Sequence, residues 1–283
     1  MNVLSKFIYL KTCTIMKIIT ILSILLCTVV LNSTAQYPVG PAKSEPINVE
    51  GSFYALLIGV NEYSDDLIAD LEEPISNASK LSTVLSDQYI FDEEDVAVLK
   101  NPVRSDIILQ LDNMIDQITS EDNLLIFYAG RGHWDENRKE GYWLPSDADM
   151  DHRENLISNS TIRDYISKIN SKNTLLIIDA SYGGSIFSSR SAILPTLNVK
   201  ELYDIPSRKA ITSSTLSEVP DKSIFFSYLV RRLDENREPY LATQELYSMI
   251  RIMVINNSDN VPQYGTIQNV GDEGGDFVFI KRH

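Results

Sequence analysis

Two short stretches of the chain concentrate groups that can do chemistry. The first is Asp179-Ala180-Ser181-Tyr182-Gly183-Gly184, which sets a carboxylate and a hydroxyl two positions apart at the entrance to a glycine turn. The second is Gly130-Arg131-Gly132-His133-Trp134, which sets a guanidinium and an imidazole two positions apart. A hydroxyl nucleophile depends on a neighbouring base, and His133 is the nearby side chain able to serve as one. Arg131 stays protonated and accepts no proton, so it can pair with a carboxylate or hold an anion but cannot act as a base. Its expected partner is Asp179, in a bidentate bridge; a ligand carboxylate is the alternative. Ser181 lacks the leading glycine of a serine-hydrolase nucleophile elbow, which weighs against hydrolysis by Ser181 with His133.

The remaining chemical supply is thin. Cys13 and Cys27 are the only cysteines, and both precede residue 36. The chain beyond them contains no thiol, which excludes cysteine nucleophiles, disulfides and thiolate metal sites there. The histidines are His133, His152 and His283. Asp147, Asp149 and Asp151 alternate as calcium ligands can. An EF-hand loop, however, needs glycine at its sixth position and glutamate at its twelfth, and those positions hold His152 and Ser158. A solvated acidic loop is expected, with no metal and no cofactor. Asn159-Ser160-Thr161 matches a glycosylation sequon. A net charge of −14 argues against nucleic-acid and anionic membrane partners.

Both stretches need rigid elements behind them. Residues 174–178 and 124–129 are apolar runs without polar alternation, the pattern of strands buried on both faces. Each would end on its chemical residues, and in open α/β sheets chemistry collects at the carboxyl ends of strands. Further strands are expected over 53–60, 95–99, 209–213 and 276–280. Helical spacing marks 75–89, 107–118, 159–169, 225–233 and 242–254. A polar loop is expected over 188–206. The alternation of strands and helices implies a three-layer α/β sandwich with a mainly parallel sheet and right-handed crossovers.

The amino-terminal part reads differently. Lys17 precedes an apolar run over 18–31, shorter than the ~20 residues of a membrane span, and Ser33 and Ala35 place small residues before Gln36. This is the pattern of a secretory leader over residues 1–35, with Met16 an alternative start. A periplasmic or secreted location is expected, with no membrane attachment once the leader is removed. Residues 36–51, with Pro38, Pro41 and Pro46, read as a linker, and 52–281 as the folded domain.

That domain resembles the caspase-like cysteine peptidases, in particular their bacterial caspase and metacaspase relatives. The resemblance rests on Leu57-Ile58-Gly59-Val60-Asn61, Tyr128-Ala129-Gly130-Arg131-Gly132, Gly141-Tyr142-Trp143-Leu144-Pro145, Ile157-Ser158-Asn159-Ser160, Pro262-Gln263-Tyr264-Gly265 and Gly274-Gly275-Asp276-Phe277. It implies the caspase three-layer sandwich. It also implies that the family's general-base histidine falls on Arg131 and its nucleophilic cysteine on Ser181. Of the two acidic residues with which basic-specific relatives hold a substrate arginine or lysine, the resemblance implies that Asp179 is kept. The other falls on Asn77, where the carboxylate has become an amide. The expectation is an exported pseudopeptidase that binds a peptide or protein. Residual hydrolysis by Ser181 with His133, and a purely structural interaction module, are the alternatives.

Overall fold

The computed structural model describes residues 46–181, 183–190, 198–214 and 221–282. The expected leader and most of the expected linker lie outside the described residues. Among the described residues no helix is long and apolar enough to cross a membrane.

The strands are β1 (Phe53–Gly59), β2 (Val96–Lys100), β3 (Asn123–Ala129), β4 (Gly132–Asp135), β5 (Glu140–Trp143), β6 (Ile157–Ser158), β7 (Asn173–Asp179), β8 (Phe187–Arg190), β9 (Ser207–Thr212), β10 (Tyr240–Ala242), β11 (Gln263–Ile267) and β12 (Val278–Ile280). The helices are α1 (Pro74–Gln88), α2 (Arg104–Gln117), α3 (Asn159–Lys168), α4 (Val199–Asp204), α5 (Ile224–Glu235) and α6 (Thr243–Asn257). The central sheet runs β2-β1-β3-β7-β9-β11-β8. Its first five strands are parallel, and β11 and β8 join antiparallel.

Side chains of successive strand residues leave on opposite faces, and this divides the core. Ala55, Leu57, Leu125, Phe127, Leu175 and Ile177 face one layer, with residues of α1, α5 and α6. Leu56, Ile58, Ile126, Tyr128, Leu176 and Ile178 face the other, with residues of α2 and α3. The uninterrupted apolar runs of β1, β3 and β7 follow from this two-sided burial, and the expected α/β sandwich with a mainly parallel sheet is what forms.

Several elements differ from the sequence reading. Residues 132–158 build a separate antiparallel sheet, β4-β5-β6, whose strands are too short to show a period. The expected loop over 188–206 contains the end of β8 and all of α4, while 191–197 lie outside the described residues. A reciprocal capping box starts α4: Glu201 N donates to Asn198 Oδ1 at 2.9 Å, and Asn198 N donates to Glu201 Oε2 at 3.0 Å. The closing strand is shorter than expected and pairs with β10 rather than with the central sheet.

Candidate functional site

The parallel pairing of β3 with β7 sets Ala129 in register with Asp179. The two chemical stretches therefore leave the sheet side by side. They also touch beyond the sheet, because a Cβ placed on Gly132 would overlap the backbone oxygen of Ser181. Glycine is required at that position by the approach of the two chains.

The turn at 130–132 is held by two tyrosines. Tyr63 Oη accepts from Arg131 N at 2.7 Å. Tyr128 Oη lies 2.7 Å from Arg131 O and 3.0 Å from Leu144 O, and accepts from Leu144 N at 3.1 Å. The Tyr128 ring stacks on Trp143 with centroids 4.5 Å apart. Burial pushes both phenols well above their ordinary range, so they are neutral hydrogen-bonding struts rather than acids or bases near neutrality.

Arg131 does not form the expected bridge to Asp179. Its Nε donates to Ala69 O at 3.0 Å and its Nη2 to Asp70 O at 3.3 Å. The guanidinium thus ties down the loop between β1 and α1 instead of reaching the carboxylate buried at the strand end. His133 lies on β4 opposite Tyr142, ring centroids 6.4 Å apart. Strand alternation sends its side chain to the face opposite the one on which a Gly132 side chain would meet Ser181. Burial lowers the His133 pKa, the Arg153 cation lowers it further, and Asp135 opposes both.

Asp179 is 4% exposed. Burial raises its carboxyl to about 6, with the hydroxyls of Ser223 and Ser213 pulling the other way and Glu73 adding to the rise. Its Oδ1 has no hydrogen-bond partner. The carboxyl faces a cavity of about 10 Å³ lined by Leu71, Pro74, Asn77, Gly130 and Asp221 among others. That volume holds about one water molecule. Asn77, on α1, lines this same cavity beside Asp179.

Asp221 was invisible in the sequence reading. Its Oδ1 accepts from Glu72 N at 2.8 Å and Glu73 N at 3.2 Å, which pins the segment before α5 across the start of α1. No local pattern marks it, since the two ends are about 150 residues apart. Two of the three alternating aspartates cap backbone N–H groups. Asp147 Oδ1 accepts from Arg104 N at 2.7 Å at the start of α2, and Asp149 Oδ1 from Asp151 N at 2.8 Å. The sequon residue Asn159 is buried, 1% exposed, and donates to Ser185 Oγ at 2.6 Å, so the folded chain offers no glycan acceptor there.

The family model for the caspase domain matches residues 52–268, most of the chain and both chemical turns. The chain belongs to the caspase domain family. Solved structures with this fold include the following two. Caspase-1 from Spodoptera frugiperda is 14% identical with a TM-score of 0.55, over 78% of this chain and 89% of that one. A crystallised protein from Geobacter sulfurreducens is 12% identical with a TM-score of 0.53, over 80% of this chain and 99% of that one. No curated protein matches the chain. In the caspase domain described here, Asp179, Ser181 and the turn at Arg131 meet at one edge of the sheet.

Proposed function

We propose that this caspase-family protein is exported and no longer cleaves peptides, and that it works by binding a peptide or protein partner. The observation that carries the reading is the engagement of Arg131. A permanent cation stands at the turn where the family resemblance places a base, and its guanidinium is committed to the carbonyls of Ala69 and Asp70. Hydrolysis through Ser181 with His133 is disfavoured because His133 leaves β4 on the other face. The cavity at Asp179 has room for about one water, which favours a partner held outside the old specificity pocket.

The test is turnover. The full chain is offered fluorogenic peptides ending in Arg, Lys or Asp, and a serine-reactive phosphonate. No cleavage and no labelling are expected. Cleavage or labelling that disappears in Ser181→Ala would overturn the inactive reading. Export is tested separately, by fractionating the native host and sequencing the mature amino terminus, which is expected at Gln36.

A further inference from the structure

On the flank of the β4-β5-β6 sheet, away from Asp179, lies a second cleft of about 330 Å³. Its walls carry Arg104, Arg138 and Arg153 together with Ser158, Ser160 and Thr161. Three arginines facing one cleft are unexpected in a chain of net charge −14, because each guanidinium needs a carboxylate or solvent to balance it. Of the acids nearby, Asp135 and Glu140 are already engaged. Asp135 is shared between Arg138, at 3.4 Å, and Arg153. Glu140 accepts from Ser160 N at 2.8 Å and lies 3.9 Å from Arg163. Glu154 is the remaining acid on the wall. Arg104 gives Nε to Leu156 O at 3.4 Å, and among the described residues no carboxylate pairs with it.

The other wall already seats an oxyanion. The Glu140 carboxylate occupies the first turn of α3, where backbone N–H groups and the helix dipole favour negative charge. Beside it, Ser158 Oγ lies 2.8 Å from both Ser160 Oγ and Thr161 Oγ1, a cluster of hydroxyls able to donate to a further anion. Guanidinium forks match phosphate and carboxylate oxygens bidentately, and the volume suits a small organic ligand.

We infer that this cleft binds a small, multiply charged oxyanion, a phosphate ester or a polycarboxylate, held by Arg104, Arg138 and Arg153 against the hydroxyls at the start of α3. The site is separate from the caspase-type edge and does not depend on the loss of catalysis there.

The full chain is titrated calorimetrically with glycerol 3-phosphate, inorganic phosphate and citrate, each against sodium chloride of equal ionic strength. Saturable binding of a phosphate or of citrate is expected, and the preference between them names the ligand class. Arg104→Gln and Arg138→Gln are each expected to weaken it at least ~10-fold, with Arg104→Lys intermediate because it keeps the charge and loses the fork. Arg153 is spared as the primary variant because its contact with Asp135 is the closer of the two that hold the hairpin. His133 gives an independent readout by NMR: partial neutralisation of Arg153 by the ligand should move its pKa back up. Binding no stronger than chloride overturns the inference. So does binding that is indifferent to the arginines and leaves His133 unmoved, since the anion would then sit elsewhere.

Discussion

Gly132 and Ser181 are in backbone contact: the missing side chain of the glycine is the space filled by the serine's carbonyl oxygen. Gly132→Ala must therefore part the two turns. The obstruction is main chain and cannot rotate away, so a cost of ~1–3 kcal/mol is expected. At Gly130 the atoms nearest an added Cβ are the hydroxyls of Tyr128 and Tyr63, at 2.8 and 3.1 Å, a looser contact that falls on side chains rather than on main chain. Thermal denaturation should rank Gly132→Ala below Gly130→Ala, and equal melting temperatures would count against the contact.

The carboxyl of Asp179 sets a dependence on pH. Burial raises its folded pKa to about 6, above the unfolded 3.8. The folded state therefore holds the proton more tightly. The stability this contributes is complete below the unfolded pKa and is lost as pH rises through about 6. The change is ~3 kcal/mol in size. Asp276, also raised to about 6 by burial, acts in the same direction. His133, with its lowered pKa, acts oppositely as pH falls. Asp179→Asn isolates the first effect: it should stabilise the protein at pH 8 and leave it nearly unchanged at pH 4. A gain of equal size at both pH values would assign the effect to something other than ionisation.

Arg131 and Asp179 should behave as independent groups. Because the guanidinium is bound to Ala69 O and Asp70 O rather than to the carboxylate, Arg131→Gln should leave the pH dependence due to Asp179 in place. It should loosen residues 61–73, seen as faster amide exchange in that loop. A clear upward move of the Asp179 titration in Arg131→Gln would restore the ion pair that the sequence alone points to.

Tyr128 holds two chain segments through one oxygen. Tyr128→Phe keeps the stacking on Trp143 but removes the hydroxyl between Arg131 O, Leu144 O and Leu144 N. Leu144 N still donates to Arg131 O at 3.2 Å, so the loss falls on Leu144 O and a cost of ~1 kcal/mol is expected. Chemical denaturation should show that loss with an unchanged denaturant slope.

The strands and helices of the central sandwich were legible because two-sided burial leaves a plain mark: β3 and β7 are unbroken apolar runs, and α3 and α5 repeat at helical spacing. The family resemblance rested on the ends of the same elements. What escaped depends on distance rather than on local pattern. Asp221 meets Glu72 and Glu73 across about 150 residues, and Arg131 meets loop carbonyls about 60 residues upstream. Backbone acceptors leave no trace in the sequence, so the nearest carboxylate in the motif, Asp179, looked like the natural partner. The β4-β5-β6 sheet escaped for a different reason, since strands of two to four residues hold too few side chains to display alternation.

Phe127 and Tyr128 are neighbours in sequence and strangers in space. Phe127 packs on Phe226 of α5, and Tyr128 stacks on Trp143 on the far side of the sheet. The sheet is a wall with private sides, and side chains on one side cannot fill a void on the other. A partner gripping α1 and α5 would reach the Arg131 turn at the end of the sheet, through the Ala69 and Asp70 carbonyls that hold its guanidinium, not by jostling side chains across β3. The oxyanion cleft and the Asp179 cavity would then answer to different signals, each with its own half of the core as a soundboard.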